Sequence, residues 1–195
     1  MKRQSRNLRK KIIKAAQGVF AEKGFFKTAM SDIAGESGIA KGTVYLYFKD
    51  KSDLYVSSLD DHFGNAVQIL TEVEQENISA KEKLQKITSL LLSYMNRFKT
   101  FPLFGFDNLN DADKVTKGLK SMMRTRLKQM IQLIAKIIDD GIKNGEFSSV
   151  DPEKTSVYFL NTIRAVLFAK FFIPGMTVDK SVGLELFFNG LKKRR

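Results

Sequence analysis

The sequence predicts an all-α fold in two parts. The first, residues 1–51, is a three-helix unit built around a helix-turn-helix, and the second, residues 52–195, is a larger helical unit. About nine helices are expected in all. Three observations carry this. Apolar residues recur at three- and four-residue spacing along most of the chain, and no alternating strand pattern persists. Two short amphipathic segments flank Gly38 in the manner of two helices joined by a tight turn. Positive charge is concentrated in the same stretch: residues 1–51 hold 12 Lys/Arg against 4 Asp/Glu, a net of +8, whereas residues 52–195 hold 21 against 17, a net of +4. The last four residues, Lys192-Lys193-Arg194-Arg195, account for that remainder. A polyanion partner for the N-terminal part is the simplest reading, and a merely solubilising excess is the plain alternative.

A basic arm, KRQSRNLRKK at 2–11, opens the chain. Arg3 and Arg6 are candidates for phosphates or a minor groove, against the plainer reading of a solvated tail. The first helix is expected from Ser5 to Lys23, with Leu8, Ile12, Ala16, Val19 and Phe20 on one face. Gly24 ends it, and Phe25 and Phe26 plug the junction with the second helix. Thr28 is placed to cap that second helix, whose inner face is Met30, Ile33 and Ala34. Gly38 supplies the turn, because glycine enters a left-handed conformation without a Cβ penalty. A third helix, Ala40 to Tyr47, buries Val44 and Phe48 and leaves Lys41, Thr43, Tyr45 and Tyr47 at or near the surface. Basic, hydroxylic and aromatic side chains on a short exposed helix suit a major groove flanked by phosphates.

The run IAGESGIAKGTVYLYFKDKSDLY resembles the DNA-binding signature of TetR-family transcriptional regulators. The matching features are Ile33-Ala34, Gly38-Ile39, Lys41-Gly42-Thr43-Val44-Tyr45, Tyr47-Phe48 and Lys49-Asp50-Lys51 leading into Leu54. The rest of the chain is similar to that family only in length and helical character. The resemblance implies a regulator, with repression the expected role, that binds a double-stranded DNA operator. The expected DNA-contacting set is Thr28, Lys41, Gly42, Thr43, Tyr45, Tyr47, Lys49 and Lys51. Lys41 is expected at base edges, and Tyr47, Lys49 and Lys51 at phosphates. Lys51 also falls in the first turn of a helix capped by Asp50, where outward amides attract anions. Three positions depart from the family pattern. Ala29 replaces a frequent hydroxyl residue, Ala40 a frequent capping serine, and Leu46 a frequent aromatic or histidine.

The fourth helix is expected from Lys51 to Gln75, burying Leu54, Leu59, Phe63, Val67, Leu70 and Val73. Ser79 and Glu82 form a capping box that opens a fifth helix, which stops before Pro102. FPLFGF at 101–106 is an aromatic-rich break. Asn110 or Asp111 is expected to cap the next, long helix, which ends at Asn144-Gly145. Asp151-Pro152 starts a helix to Phe172 that is apolar on more than one face, which implies a partner surface. A last helix spans Val178 to Lys192, with Gly183 and Gly190 on one side for a close helix approach. A homodimer through these last two helices, bound to a near-palindromic site, is the expected assembly.

The chain has no cysteine, which excludes disulfides and thiolate metal sites. No secretory signal and no membrane-spanning run are apparent, so a cytoplasmic protein without membrane partners is expected. The single histidine, His62, cannot by itself build a histidine-rich metal site or an evident triad, and a structural role is expected for it. No phosphate loop, nucleophile motif or metal-ligand cluster appears, and neither an enzyme nor a cofactor is expected. Sixteen Phe and seven Met, with no Trp, include a set placed where the resemblance implies an effector pocket. Those candidates are Met95, Phe98, Phe101, Phe104, Met122, Met123 and Phe168, set against the plain alternative of ordinary core. Phe106 belongs with them, and Arg97, Arg124, Arg126 and Arg164 are candidate anchors for an acidic head group. An apolar or amphipathic effector that releases DNA follows, with fatty acids, acyl thioesters and hydrophobic drugs or aromatics all compatible. The alternative reading is a DNA-binding regulator or architectural protein with no small-molecule effector.

Overall fold

The computed structural model describes residues 2–96, 113–173, 175–176 and 178–192. Among them lie eight helices and no strand: α1 (Lys2–Lys27), α2 (Met30–Ser37), α3 (Lys41–Tyr47), α4 (Lys51–Glu74), α5 (Ala80–Asn96), α6 (Asp113–Lys143), α7 (Pro152–Phe172) and α8 (Lys180–Gly190). The break at 101–106, the cap expected at Asn110 or Asp111, and the side chain of Arg3 lie outside the described residues. The chain forms two compact units, Met1–Asn65 with Phe98–Arg126, and Ala66–Arg97 with Leu127–Arg195. The division falls inside α4 and inside α6, whereas the domain boundary expected from the sequence lies after residue 51. None of the helices among the described residues is long and apolar enough to cross a membrane.

In the first unit, α1 breaks at Gly24, which takes φ 73° and ψ 167°. Only glycine adopts that conformation cheaply. One core joins Ile12, Ile13, Ala16 and Phe20 of α1 to Ile33 and Ala34 of α2, Val44 of α3, Phe48 and Leu54. Gln17 Nε2 donates to the Ser58 carbonyl at 3.0 Å and to Asp61 Oδ2 at 3.1 Å, tying α1 to α4. A second cluster sets Phe63 of α4 against Val115, Leu119 and Met122 of α6. Across the same contact Arg126 Nε meets Asp60 Oδ1 at 2.7 Å. Thr28 does not cap α2. The N-cap is Ala29, whose N–H donates to Asp32 Oδ2 at 3.0 Å. Thr28 Oγ1 instead donates to the Gly24 carbonyl at 2.7 Å, one of the acceptors freed where α1 breaks.

In the second unit, Leu84, Ile87 and Leu91 of α5, Ile134, Ile137 and Ile138 of α6, Phe159, Ile163 and Leu167 of α7, and Leu184 and Phe188 of α8 share one core. The Ser79–Glu82 capping box forms as expected, with the Ser79 N–H donating to Glu82 Oε2 at 2.9 Å and the Glu82 N–H to Ser79 Oγ at 3.2 Å. A second carboxylate also serves this helix start: Glu146 accepts from the N–H groups of Ala80 (3.0 Å) and Lys81 (3.2 Å). Gly141 makes room for the chain that carries Glu146, since a Cβ there would lie 2.5 Å from Phe147 Cδ2. Asp151 and Asp179 cap α7 and α8, accepting from Lys154 N–H and Ser181 N–H. Gly183 explains the approach of α8 to α7 within one chain, because a Cβ there would lie 2.7 Å from Thr162 Cγ2. Gly190 has no such neighbour within the chain.

Candidate nucleic-acid interface

The helix-turn-helix is set by buried anchors. Val44 is fully buried and Phe48 nearly so, with the Arg9 guanidinium 5.0 Å above the Phe48 ring. Truncating such a phenylalanine to alanine costs about 3–5 kcal/mol. Gly38 takes φ 61° and ψ 33°, and its N–H reaches the Ala34 and Gly35 carbonyls, closing α2. The Ile39 N–H returns to the Ala34 carbonyl at 3.1 Å, fixing the exit toward α3. Ala40 begins α3 without a side-chain cap bond, as its methyl group dictates. At the start of α2, the Lys23 ammonium lies 3.3 Å from Asp32. The Ala29 N–H and that ammonium together hold the Asp32 carboxyl below its usual pKa.

The orientation of α3 sorts the expected contact residues. Lys41, Gly42, Tyr45 and, just past the helix, Lys49 are exposed; Thr43 and Tyr47 are half-buried. Tyr47 rests its ring on the core of the first unit, so only part of it faces outward. Two residues of the expected set are engaged within the chain. Thr28 is only 2% exposed, and its hydroxyl is committed to Gly24, so its side chain presents nothing to DNA. Lys51 is committed as well. Its Nζ donates to the Thr28 carbonyl at 2.9 Å and the Phe26 carbonyl at 3.3 Å, and lies 4.6 Å from the centre of the Phe25 ring. The carbonyls between α1 and α2 thus hold the ammonium that was expected at a phosphate to the entry of α2.

Two residues outside the expected contact set lie on this surface. Leu46 is 83% exposed, the most exposed of the large apolar side chains described. Its place on the helix wheel, opposite Val44 and Phe48, was available as a signal. Lys11 of α1 reaches the turn, its Nζ 3.9 Å from where a Cβ of Gly38 would stand. No periodicity reports that approach.

Only some of the expected effector residues fall among the described residues. Phe98, Phe101, Phe104, Phe106 and Arg97 lie outside the described residues. Met95 packs on the core of the second unit. Met122 and Met123 belong to the Phe63 cluster of the first unit. Phe168 is 42% exposed on α7; it lies away from the buried side of that helix, which carries Phe159, Ile163 and Leu167. Arg126 is engaged with Asp60, and Arg124 and Arg164 are exposed. His62 is buried, and burial pushes its pKa down to about 4, opposed only in part by Asp61. No group of three or more metal-ligating side chains occurs among the described residues.

A family model described as bacterial regulatory proteins, tetR family, matches residues 12–57, the stretch that holds the interface. The chain is 31% identical over 135 residues to the fatty acid metabolism regulator protein of Bacillus subtilis, covering 69% of this chain and 68% of that protein. Among solved structures it is similar to the transcriptional regulator FadR from Bacillus subtilis in complex with stearoyl-CoA. That match has TM-score 0.69 and 26% identity, and covers 93% of this chain and 98% of the other. The fold is shared with the fatty acid degradation regulator FadR from Bacillus halodurans, at TM-score 0.76 and 24% identity, covering 96% and 97%.

Proposed function

Because the chain belongs to the TetR family of bacterial regulatory proteins, we propose that it is a repressor that binds a near-palindromic operator as a homodimer and leaves it when an amphipathic acyl compound binds. It is a transcriptional regulator and not an enzyme. The observation that carries the DNA half of the reading is α3 itself. Val44 and Phe48 hold it rigidly while Lys41, Gly42, Tyr45 and Lys49 stand exposed beside it, in the part of the chain with the net charge of +8, the balance of 12 Lys/Arg and 4 Asp/Glu in residues 1–51. Lys41 and Tyr45 are assigned to base edges, Thr43 and Gly42 to close approach, and Tyr47 and Lys49 to phosphates.

The effector half rests on likeness. A Bacillus subtilis relative is a fatty acid metabolism regulator, and a similar solved structure holds stearoyl-CoA. Long-chain acyl thioesters are therefore the first compounds to test, with residues 80–170 as the region of binding. The Lys51 anchor supplies a physical route for release. It fixes the start of α4 to the entry of α2, so a displacement of α4 is passed to the helix-turn-helix. The homodimer reading is supported by apolar side chains left exposed on the last two helices: Val157 and Tyr158 on α7, Val182 and Leu186 on α8.

Selection of bound sequences from a random DNA pool tests the function. Enrichment of an inverted repeat with half-sites about one helical turn apart (~34–36 Å) or a multiple of it is the expected result. Recovery of no preferred sequence would favour an architectural role.

A further inference from the structure

We propose that Leu46 reads a thymine methyl group at the centre of each half-site, which makes an apolar contact part of operator specificity. The inference rests on the DNA-binding reading above and adds a residue to it. With about 100° between successive helical residues, Leu46 stands roughly 180° from the midpoint of Val44 and Phe48. Those two are the buried anchors of α3, at 0% and 1% exposure. Leu46 thus points straight out from the core, and whatever α3 docks on meets it first. Gly42 lies one turn earlier on the same side and has nothing within 4 Å of where its Cβ would stand, so the helix backbone is open to close approach there. Lys41 and Tyr45 flank one side of this line, and Thr43 and Tyr47 the other.

A leucine 83% exposed between exposed cations gains nothing from water and forms no hydrogen bond. In the major groove one group answers it: the C5-methyl of thymine, the apolar mark among the base edges. Lysines beside it draw α3 onto the phosphates, and the leucine is then desolvated against the base-pair edges. A protein partner on the same face would have to accept Lys41 and Lys49 as well as Leu46, and would compete with DNA.

Deoxyuridine in place of thymine removes only the methyl group and keeps every hydrogen-bonding atom, so it isolates the contact. The full-length protein and its Leu46→Ala variant are titrated against the selected operator with each thymine replaced in turn. At one thymine per half-site the unmodified protein should lose affinity about fourfold, the value of one buried methyl-sized group. Leu46→Ala should be indifferent to that replacement while keeping its response to changes elsewhere. The side chain is exposed, so the variant should fold, and unchanged helical circular dichroism checks this. Operator binding with no thymine whose methyl matters in a Leu46-dependent way would overturn the inference and leave the regulator reading intact. Failure to enrich any DNA would overturn both.

Discussion

The ammonium of Lys51 donates to the carbonyl of Thr28 at 2.9 Å, so the first turn of α4 is fastened to the segment that enters α2. A lysine in a basic helix-turn-helix is thereby spent on holding the motif together. Its neighbour Lys49 remains exposed, with its backbone N–H bonded to Asp53 Oδ2 at 3.0 Å.

The two lysines should separate in experiment. Lys51→Met keeps the aliphatic stem and removes the donors. It should lower unfolding stability by about 1 kcal/mol at unchanged urea m-value, and leave the salt dependence of DNA binding as it was. Lys49→Ala should leave stability unchanged and flatten the salt slope by about one unit. The reverse assignment would return Lys51 to the phosphate set.

Lys41 opens α3 on the exposed side. Lys41→Ala should weaken operator binding by ~1–3 kcal/mol and relax the preference at one position of each half-site. Parallel titration of the operator and of single-base variants measures both effects. Unchanged affinity and preference would remove Lys41 from the base-reading set.

The dimer should depend on the exposed apolar face of α7 and α8. Tyr158 is 71% and Leu186 70% exposed. The pair Tyr158→Glu and Leu186→Glu should give a monomer by sedimentation at micromolar concentration, with helical content intact and operator affinity sharply reduced. Gly183→Leu acts elsewhere. It forces α8 away from Thr162 in the same chain and should destabilise by about 1–3 kcal/mol. A monomeric unmodified protein would contradict the assembly.

His62 gives the first unit a pH dependence. Its folded pKa of about 4 lies below the ordinary 6.5, so the unfolded chain binds the proton first. The stability it contributes is complete above about pH 6.5 and is lost as pH falls toward 4. Acidification from pH 7 to pH 5 should destabilise the protein by about 2 kcal/mol through this residue, and His62→Gln should remove that part of the slope. Equal slopes in both proteins, by urea titration at each pH, would show that His62 charges without penalty.

Much of this was readable from local chemistry. Gly24 and Gly38 break the chain where their positive φ is required, and Ser79 and Asp151 start helices through hydrogen bonds confined to one turn. Such features depend on neighbours in sequence. The partners of Thr28 and Lys51 are backbone carbonyls at the Gly24 break and in the link between α1 and α2, a consequence of geometry that no spacing encodes. Glu146 caps α5 from 66 residues away, and Gly183 answers Thr162 on another helix; both are products of tertiary packing. The Met and Phe candidates show the same limit from the other side. Periodicity identifies Met123 as inward-facing, but which core it enters is decided by where α6 divides between units.

The most direct test of the regulator reading is a reciprocal titration. Acyl compounds of graded chain length are titrated against the selected operator complex, followed by operator anisotropy, and the same compounds are titrated against free and DNA-bound protein by calorimetry. An acyl compound should release the operator, and DNA should weaken its binding by the same factor, ~1.4 kcal/mol of coupling for each tenfold change. Acyl compounds that bind equally well with and without operator, or that leave the complex undisturbed at saturation, would contradict it.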